Sequence, residues 1–225
     1  MKLVIFDIDG TLTDTKKVDD KCFVKAFKQT FDIEIAALDW GVTKNVTDWG
    51  LTEEVVEMVY DRKPTEKEYK KMLKIFMDLL KKEKQEDSSQ FMAVKGAVSF
   101  YNYIKNKTKW QLGIATGSWE KSALLKLHSI GIEVDGVAFS NSDYFISREG
   151  ITQHAIDQVK KNHEIKIDDI VYFGDGVWDY NTCKNLGIRF IGIDILKDSK
   201  LKNIGATTVF NDFCDLKAIL KEICI

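Results

Sequence analysis

Residues 3–13, LVIFDIDGTLT, constrain the fold of this chain more than any other stretch. Residues 3–6 form a short apolar run of strand formers, which is typical of a strand buried on both faces. Asp7 comes where that strand must end, and Gly10 permits the sharp turn that follows. Carboxylates one residue apart, at Asp7 and Asp9, are costly unless a cation lies between them, and Mg²⁺ suits such oxygen ligands. Taken alone, these residues also fit an ordinary turn that ends a strand.

The rest of the chain divides into a helical stretch and an alternating stretch. Residues from about 15 to about 92 carry helical spacings of apolar residues and no predicted strand, with a loop at 39–50. Thr52 is the predicted N-cap of the second helix, and Thr65 with Glu68 forms a capping-box pattern before the third. After residue 92, predicted strands at 110–115, 137–139, 170–173, 189–193 and 207–210 alternate with predicted helices, among them 96–106, 118–131, 151–161 and 213–223.

This alternation predicts an α/β fold, a doubly wound parallel sheet with helices on both faces. The first strand lies at the N-terminus, whereas the matching strand–helix units begin only after residue 92. The helical stretch is therefore interpreted as an insertion into the α/β unit. The predicted organisation is an α/β core domain at 1–14 and 93–225 with a helical-bundle cap domain at 15–92.

Two later stretches place polar residues where predicted strands end. Thr116 and Gly117 follow the strand at 110–115, and a hydroxyl with an exposed N–H at such a turn suits a phosphate oxygen. Ser118 is alternatively a simple N-cap of the next helix. Asp175 and Asp179 follow the strand at 170–173, and carboxylates four apart across a turn can face one metal ion. Because open α/β sheets bind ligands at the carboxyl ends of their strands, these residues are expected to meet there.

The three stretches DIDGT, IATGS and GDGVWD resemble, in order, motifs of the haloacid dehalogenase superfamily of phosphohydrolases. The resemblance extends from Asp7 to Asp179 and implies a Rossmann-like core with an inserted helical cap. It implies that Asp7 is the nucleophile that attacks phosphorus and forms an aspartyl-phosphate. Asp9 would protonate the leaving alcohol and then take a proton from water. Dehalogenases lack this second aspartate, so its presence favours phosphate esters.

The resemblance also implies a phosphate-binding set, Thr116, Gly117 and Arg148, and a magnesium-binding set. In the magnesium set, Asp175 is a direct ligand beside the Asp7 carboxylate and the backbone carbonyl of Asp9, and Asp179 binds through water or orients the others. Arg148 departs from the family pattern, in which a lysine followed by proline is commoner than Arg148 followed by Glu149. Lys160 and Lys161 are the alternatives for this basic residue.

The predicted function is that of a Mg²⁺-dependent phosphohydrolase acting on a small phosphorylated metabolite. A phosphosugar mutase of the same fold would use the same residues, and hydrolysis of phosphonates is a further alternative. Outside catalysis, a receiver-like signalling protein that accepts phosphate on aspartate and a catalytically silent protein of this fold stay open. The loop at 40–49 either contacts the substrate or is a bend whose tryptophans pack in the cap; its polar candidates are Thr43, Lys44, Asn45, Thr47 and Asp48.

Charge and cysteine content narrow the setting in which the protein is expected to work. With 33 Lys and Arg against 35 Asp and Glu, the net charge of −2 indicates no nucleic-acid-binding face. No apolar run approaches the ~20 residues of a membrane span, and the first strand leaves no room for a signal peptide. We expect a cytoplasmic monomer or homodimer with reduced thiols at Cys22, Cys183, Cys214 and Cys224.

Overall fold

A computed structural model describes residues 1–35, 43–163 and 166–224. Its single described sheet has six strands: β1 (Lys2–Phe6), β2 (Gln111–Ala115), β3 (Ala138–Ser140), β4 (Asp169–Gly174), β5 (Arg189–Ile193) and β6 (Val209–Phe210). All strand pairs are parallel, in the order β3-β2-β1-β4-β5-β6. The helices are α1 (Lys16–Phe31), α2 (Asp48–Tyr60), α3 (Glu66–Glu86), α4 (Ala97–Lys107), α5 (Glu120–Ser129), α6 (Arg148–His163), α7 (Val177–Leu186), α8 (Lys200–Asn203) and α9 (Leu216–Cys224), with a 3₁₀ turn at Ser88–Gln90.

Strand β1 is central because its side chains alternate between two apolar layers. Val4 and Phe6 face a layer that includes Phe100 of α4 and Ile219 of α9. Leu3 and Ile5 face the opposite layer, which contains residues of α6 and α7. Helices therefore cover both faces of a parallel sheet, and the predicted α/β class is confirmed.

Helices α1, α2 and α3 share an apolar cluster of their own. The predicted apolar face of α1 is buried throughout, and Phe23 packs edge-to-face on Phe76 of α3. Trp119, just before α5, lies against both rings and belongs to this cluster. The capping box of Thr65 and Glu68 is present at the start of α3, as predicted. The proposed division into core and cap domains stays a prediction.

Helix α2 begins earlier in the chain than predicted. It begins at Asp48, so residues 48–50 of the predicted loop are helical, and Thr52 lies inside the helix. The N-cap is Thr47, whose side chain accepts a hydrogen bond from the Gly50 N–H. The Thr52 hydroxyl donates instead to the Asp48 carbonyl, one turn back. Trp40 and the rest of 39–42 lie outside the described residues.

The observed bounds of the other helices and strands differ from the predicted bounds by up to three residues. Helix α6 begins at Arg148, three residues earlier than predicted, so Arg148 is its first residue. Helix α9 begins at Leu216, three residues later than predicted, and β6 is reduced to Val209–Phe210. Within the described ranges, no helix is both long enough and apolar enough to cross a bilayer.

Candidate active site

The predicted site residues meet at the carboxyl ends of three adjacent strands. Phe6 of β1 pairs with Ile114 of β2 and with Phe173 of β4. The residues that follow these strands therefore leave the sheet side by side. Residues that follow β1 and β2 line one cavity of about 70 Å³ together with Arg148, Trp178 and residues of α1 and α2; its polar lining is Asp7, Asp9, Lys16, Asp19, Asp20, Thr47, Asp48, Thr116, Ser118 and Arg148. Asp175, after β4, lines an adjoining space that shares Lys16, Asp20 and Trp178 with this cavity.

Asp7, Asp175 and Asp179 form a cluster in which one carboxylate oxygen of each lies within 4.8 Å of the others. Oδ1 of Asp175 is buried and has no hydrogen-bond partner among the described residues. Burial and the charge of Asp179 raise the pKa of Asp175 to about 6, against the opposing effect of Lys16. An orphaned carboxylate oxygen in an all-oxygen cluster fits a hard divalent cation such as Mg²⁺.

Gly10 lets the loop after β1 approach this cluster. Its φ of 84° is a left-handed conformation that favours glycine, and a Cβ there would overlap the carboxylate of Asp175. Nζ of Lys16 lies 3.1 Å from Oδ2 of the same carboxylate and 4.6 Å from the centre of the Trp178 ring. Lys16 is a site residue that no sequence motif indicated.

Arg148 is the basic residue that the structure brings to the cluster. Its Nη1 donates to Oδ1 of Asp7 at 3.0 Å and to Oδ1 of Asp179 at 3.3 Å, and its Nε donates to the carbonyl of Val46 at 2.7 Å. Burial and the charge of Asp179 raise the pKa of Asp7 well above its usual value, although Arg148 opposes the shift.

The two alternative lysines lie elsewhere on helix α6. Lys160 is half exposed and faces Asp157 at 3.7 Å, and Lys161 is exposed. Gly117 explains how the bulkier arginine fits, since a Cβ there would lie 2.6 Å from Nη2 of Arg148. Thr116 is buried beside it, and its hydroxyl accepts a hydrogen bond from the Ser118 N–H at 3.2 Å.

The carboxylate of Asp9 turns away from the cluster and is held on both oxygens. Thr15 donates its hydroxyl to Oδ1 at 2.5 Å. Ser118 donates to Oδ2 at 2.9 Å, and Nζ of Lys126 donates to the same oxygen at 2.5 Å. Burial opposes ionisation of Asp9, but the charge of Lys126 and these hydrogen bonds outweigh it and lower the pKa. Ser118 is thus not a simple N-cap: Trp119 occupies that position of α5.

Lys126 is a site residue that the sequence analysis missed. Its side chain is fully buried, and Nζ also lies 2.6 Å from Oδ1 of Asp19 on α1. Burial raises the pKa of Asp19 well above its usual value despite this pair, so the lysine favours the ionised form of Asp9 over that of Asp19. The helical spacing could have indicated its burial, because Lys126 lies three residues after Ala123 and four after Ser122, on the buried face of α5.

The N-terminus of α2 contacts the loops that follow β2 and β3. The Asp48 N–H donates to the carbonyl of Gly117 at 2.7 Å, and its Oδ2 accepts from the Trp119 N–H at 2.8 Å. The Thr47 hydroxyl donates to the carbonyl of Ile146 at 2.7 Å. Burial raises the pKa of Asp48 to about 7. Thr47 and Asp48 therefore line the cavity, as the sequence analysis considered for this loop.

The other residues of that loop are placed beside the cavity. Thr43, Lys44 and Asn45 line an adjoining space bordered by Arg148 and Trp178. The Trp49 ring packs edge-to-face on Tyr69 of α3, with the ring centres 5.7 Å apart. The described part of 40–49 thus contains both cavity-lining polar residues and a packed tryptophan.

Comparisons with known proteins agree with the motifs. The family model of haloacid dehalogenase-like hydrolases matches residues 4–193. A hydrolase from Pseudomonas syringae has a similar structure, with 21% identity, 99% of each chain covered and a TM-score of 0.74. CbbY from Rhodobacter sphaeroides, in complex with phosphate, has 15% identity, 95% of each chain covered and a TM-score of 0.71. A candidate beta-phosphoglucomutase from Bacteroides vulgatus has 17% identity and a TM-score of 0.70, covering 100% of this chain and 89% of its own.

Among curated protein sequences, none matches this chain significantly. The family model covers most of the chain, and the protein therefore belongs to the haloacid dehalogenase-like hydrolase family, as its motifs predict. Membership of this family supports a hydrolase activity for the protein. The solved structures, at identities of 21% and below, support the fold alone.

Proposed function

We propose that this protein is a Mg²⁺-dependent phosphohydrolase that cleaves a small phosphorylated metabolite through an aspartyl-phosphate on Asp7. The observation that carries the proposal is the buried cluster of Asp7, Asp175 and Asp179, in which one oxygen of Asp175 has no partner among the described residues. A separately held carboxylate, Asp9, lies beside the same cavity. A nucleophile, a cation site and an acid–base group at one edge of the sheet suit phosphoryl transfer.

In the first step, a carboxylate oxygen of Asp7 attacks phosphorus. The bond from phosphorus to the leaving oxygen breaks, its electron pair stays on that oxygen, and the proton of Asp9 is transferred to it. A bound phosphate dianion is a like charge beside Asp9, so substrate binding raises the pKa of Asp9 toward a value at which it holds that proton. Mg²⁺ held by Asp7, Asp175, the Asp9 carbonyl and Asp179 would offset the charge of the transferring group.

In the second step, water attacks phosphorus of the aspartyl-phosphate. Asp9, now ionised, accepts the proton of the water, and the bond between phosphorus and the Asp7 oxygen breaks. Inorganic phosphate leaves, and both carboxyl groups return to their starting forms. Arg148, the Thr116 hydroxyl and the Gly117 N–H would bind the phosphoryl oxygens during both steps. The similarity to CbbY, solved in complex with phosphate, supports this part of the proposal.

The proposal is tested by measuring inorganic phosphate released from a panel of phosphorylated metabolites, with Mg²⁺ and with a chelator. We expect release only with the metal and a loss of at least about 10³-fold in Asp7→Asn, because the nucleophile is removed. Asp157→Asn, an exposed aspartate of α6, is the matched control and should retain full activity. A folded protein that binds Mg²⁺ but releases phosphate from no ester would contradict the proposal.

A phosphosugar mutase is the second candidate, because a candidate beta-phosphoglucomutase from Bacteroides vulgatus is among the similar structures. A mutase would return the phosphoryl group from Asp7 to a sugar. Incubation with a hexose 1-phosphate separates the two activities. Net inorganic phosphate indicates hydrolysis, whereas a 6-phosphate isomer without net phosphate indicates the mutase.

The setting of this activity is also part of the proposal. The division into an α/β core at 1–14 and 93–225 and a helical cap at 15–92 assigns α1 and α2 to the side of the cavity opposite the strand ends. Substrate beyond the phosphate would contact these helices. We propose a cytoplasmic enzyme, active as a monomer or homodimer, whose partner is the phosphorylated metabolite.

A further inference from the structure

Lys126 is a buried cation to which the proposed mechanism assigns no role. Its side chain has no exposed surface, although a lysine is among the residues most costly to bury. Nζ compensates this cost with acceptors on three sides, Oδ2 of Asp9 at 2.5 Å, Oδ1 of Asp19 at 2.6 Å and Oγ of Ser118 at 2.8 Å. An ammonium group has three donors, and each has an acceptor here.

The same contacts decide where the Asp9 carboxylate points. Thr15 occupies Oδ1, and Ser118 and Lys126 occupy Oδ2. Among the described residues, the acidic groups close enough to share a metal ion are Asp7, Asp175 and Asp179, without the side chain of Asp9. A fourth aspartate next to such a cluster would otherwise be available to the cation. Lys126 and the hydroxyl groups of Thr15 and Ser118 hold the Asp9 carboxylate off that cluster.

We propose that Lys126 is a positioning residue for the acid–base step: it fixes the Asp9 carboxylate toward the leaving-group oxygen and ties it, through Asp19, to helix α1. This inference rests on the proposed phosphohydrolase function. Asp9 lies on the loop after β1, Lys126 on α5 and Asp19 on α1. The lysine therefore links the strand-end loop to a helix on the other side of the cavity, and Asp9 is correctly oriented when all three elements are together.

The test uses kcat/KM, which reports the steps up to departure of the leaving group, because the later transfer of a proton from water to Asp9 is common to all esters. A p-nitrophenolate leaves without a proton from Asp9, whereas an alkoxide does not. Lys126→Met should therefore lower kcat/KM for glycerol phosphate by about 10²-fold or more, the usual contribution of general acid–base catalysis. The loss for p-nitrophenyl phosphate should be several-fold at most. The effect should fall mainly on kcat, and Lys126→Arg should recover part of the alkyl-ester activity.

The controls separate positioning from folding. Lys121→Met removes an exposed lysine of the same helix and should leave both activities unchanged. Asp9→Asn should reproduce the selective loss of kcat/KM on the alkyl ester, although its kcat should fall for both esters because the second step also uses Asp9. If the Lys126→Met protein does not fold, as judged by thermal melting, Asp19→Asn carries the test. It removes the anchor of the lysine on α1 and should cause the same selective loss, smaller in size.

An equal loss of kcat/KM on both esters in Lys126→Met, or in Asp19→Asn where that variant carries the test, would overturn the inference. The proposed function would survive that result, because the wild type would still release phosphate from both esters. A wild type that hydrolyses neither ester would instead overturn the proposed function, and the assignment of Lys126 with it.

Discussion

Asp175→Asn is expected to stabilise the metal-free protein at pH 8 while removing its response to Mg²⁺. Burial and the charge of Asp179 raise the pKa of Asp175 from 3.8 to about 6 in the folded protein. The folded protein therefore keeps a proton that the unfolded chain has lost between about pH 4 and pH 6. The free energy of unfolding falls as pH rises through that window and stays lower above it. Asparagine cannot ionise, so the variant avoids this cost.

The size of the effect follows from the difference between the two pKa values. A difference of about two corresponds to about 3 kcal/mol, because one pKa unit is 1.36 kcal/mol. Above pH 6 the wild type, without metal, should lose up to this amount relative to Asp175→Asn. Near pH 4 the two should be close in stability. A divalent cation opposes the cost in the wild type, and at a concentration of 100 Kd it should add about 2.7 kcal/mol.

The assay is urea unfolding at pH 4.5 and pH 8, in a chelator and in Mg²⁺. The difference between the wild type and Asp175→Asn isolates this one carboxyl group from the other buried carboxyl groups. Asp157→Asn, at an exposed position, should follow the wild type under all four conditions. The reasoning is refuted if the Asp175→Asn protein is the less stable one at pH 8 in chelator, or if Mg²⁺ stabilises it as much as it does the wild type.

Two further predictions concern the charges around the substrate. Arg148→Met should lower kcat/KM by about 10²–10³-fold, because it removes a buried donor beside the phosphoryl group, whereas Arg62→Met, at a half-exposed arginine, should have no effect in the same phosphate-release assay. Substrates with a second anionic group should be poor, because Asp19 and Asp48 line the cavity and its two cations are already paired, Lys16 with Asp175 and Arg148 with Asp7. We expect kcat/KM for glycerol phosphate to exceed that for phosphoglycolate by at least about tenfold, equivalent to 1.4 kcal/mol. Equal kcat/KM values for the two substrates would contradict the claim that the cavity disfavours a second anionic group.

The sheet was predictable because its signals are local. The buried run at β1, Lys2–Phe6, is followed at once by its polar end, and the same holds for β2 and β4. Parallel register then brings Asp7, Thr116 and Asp175 to one edge without further information. Arg148 was predicted from the family resemblance, and the structure brings its guanidinium to Asp7.

The start of helix α2 was not predictable because tertiary contacts determine it. Turn-forming residues up to Gly50 indicated a loop, yet Thr47 caps the helix and donates to the carbonyl of Ile146, almost a hundred residues away. Asp48 is held by the loop after β2 in the same way. These partners are not visible in the local sequence, so the predicted helix began too late.

Lys126 was missed for a different reason, since its helical spacing was available. Lysine is normally solvated, and a lysine on an apolar helix face is usually read as a flanking residue. Its acceptors, Asp9 and Asp19, lie more than a hundred residues earlier in the chain. Only the fold brings three elements close enough to make its burial tolerable.

The central claim, an aspartyl-phosphate on Asp7, is tested most directly by trapping it during turnover. The protein is mixed with a hydrolysed ester and Mg²⁺, quenched in acid, reduced with borohydride and digested for mass spectrometry. Borohydride converts an acyl phosphate to the alcohol, so the account predicts that Asp7 alone is reduced, and only when both ester and metal are present. Phosphate released by Asp7→Asn at the wild-type rate, with Asp7 unmodified in the wild type, would contradict it.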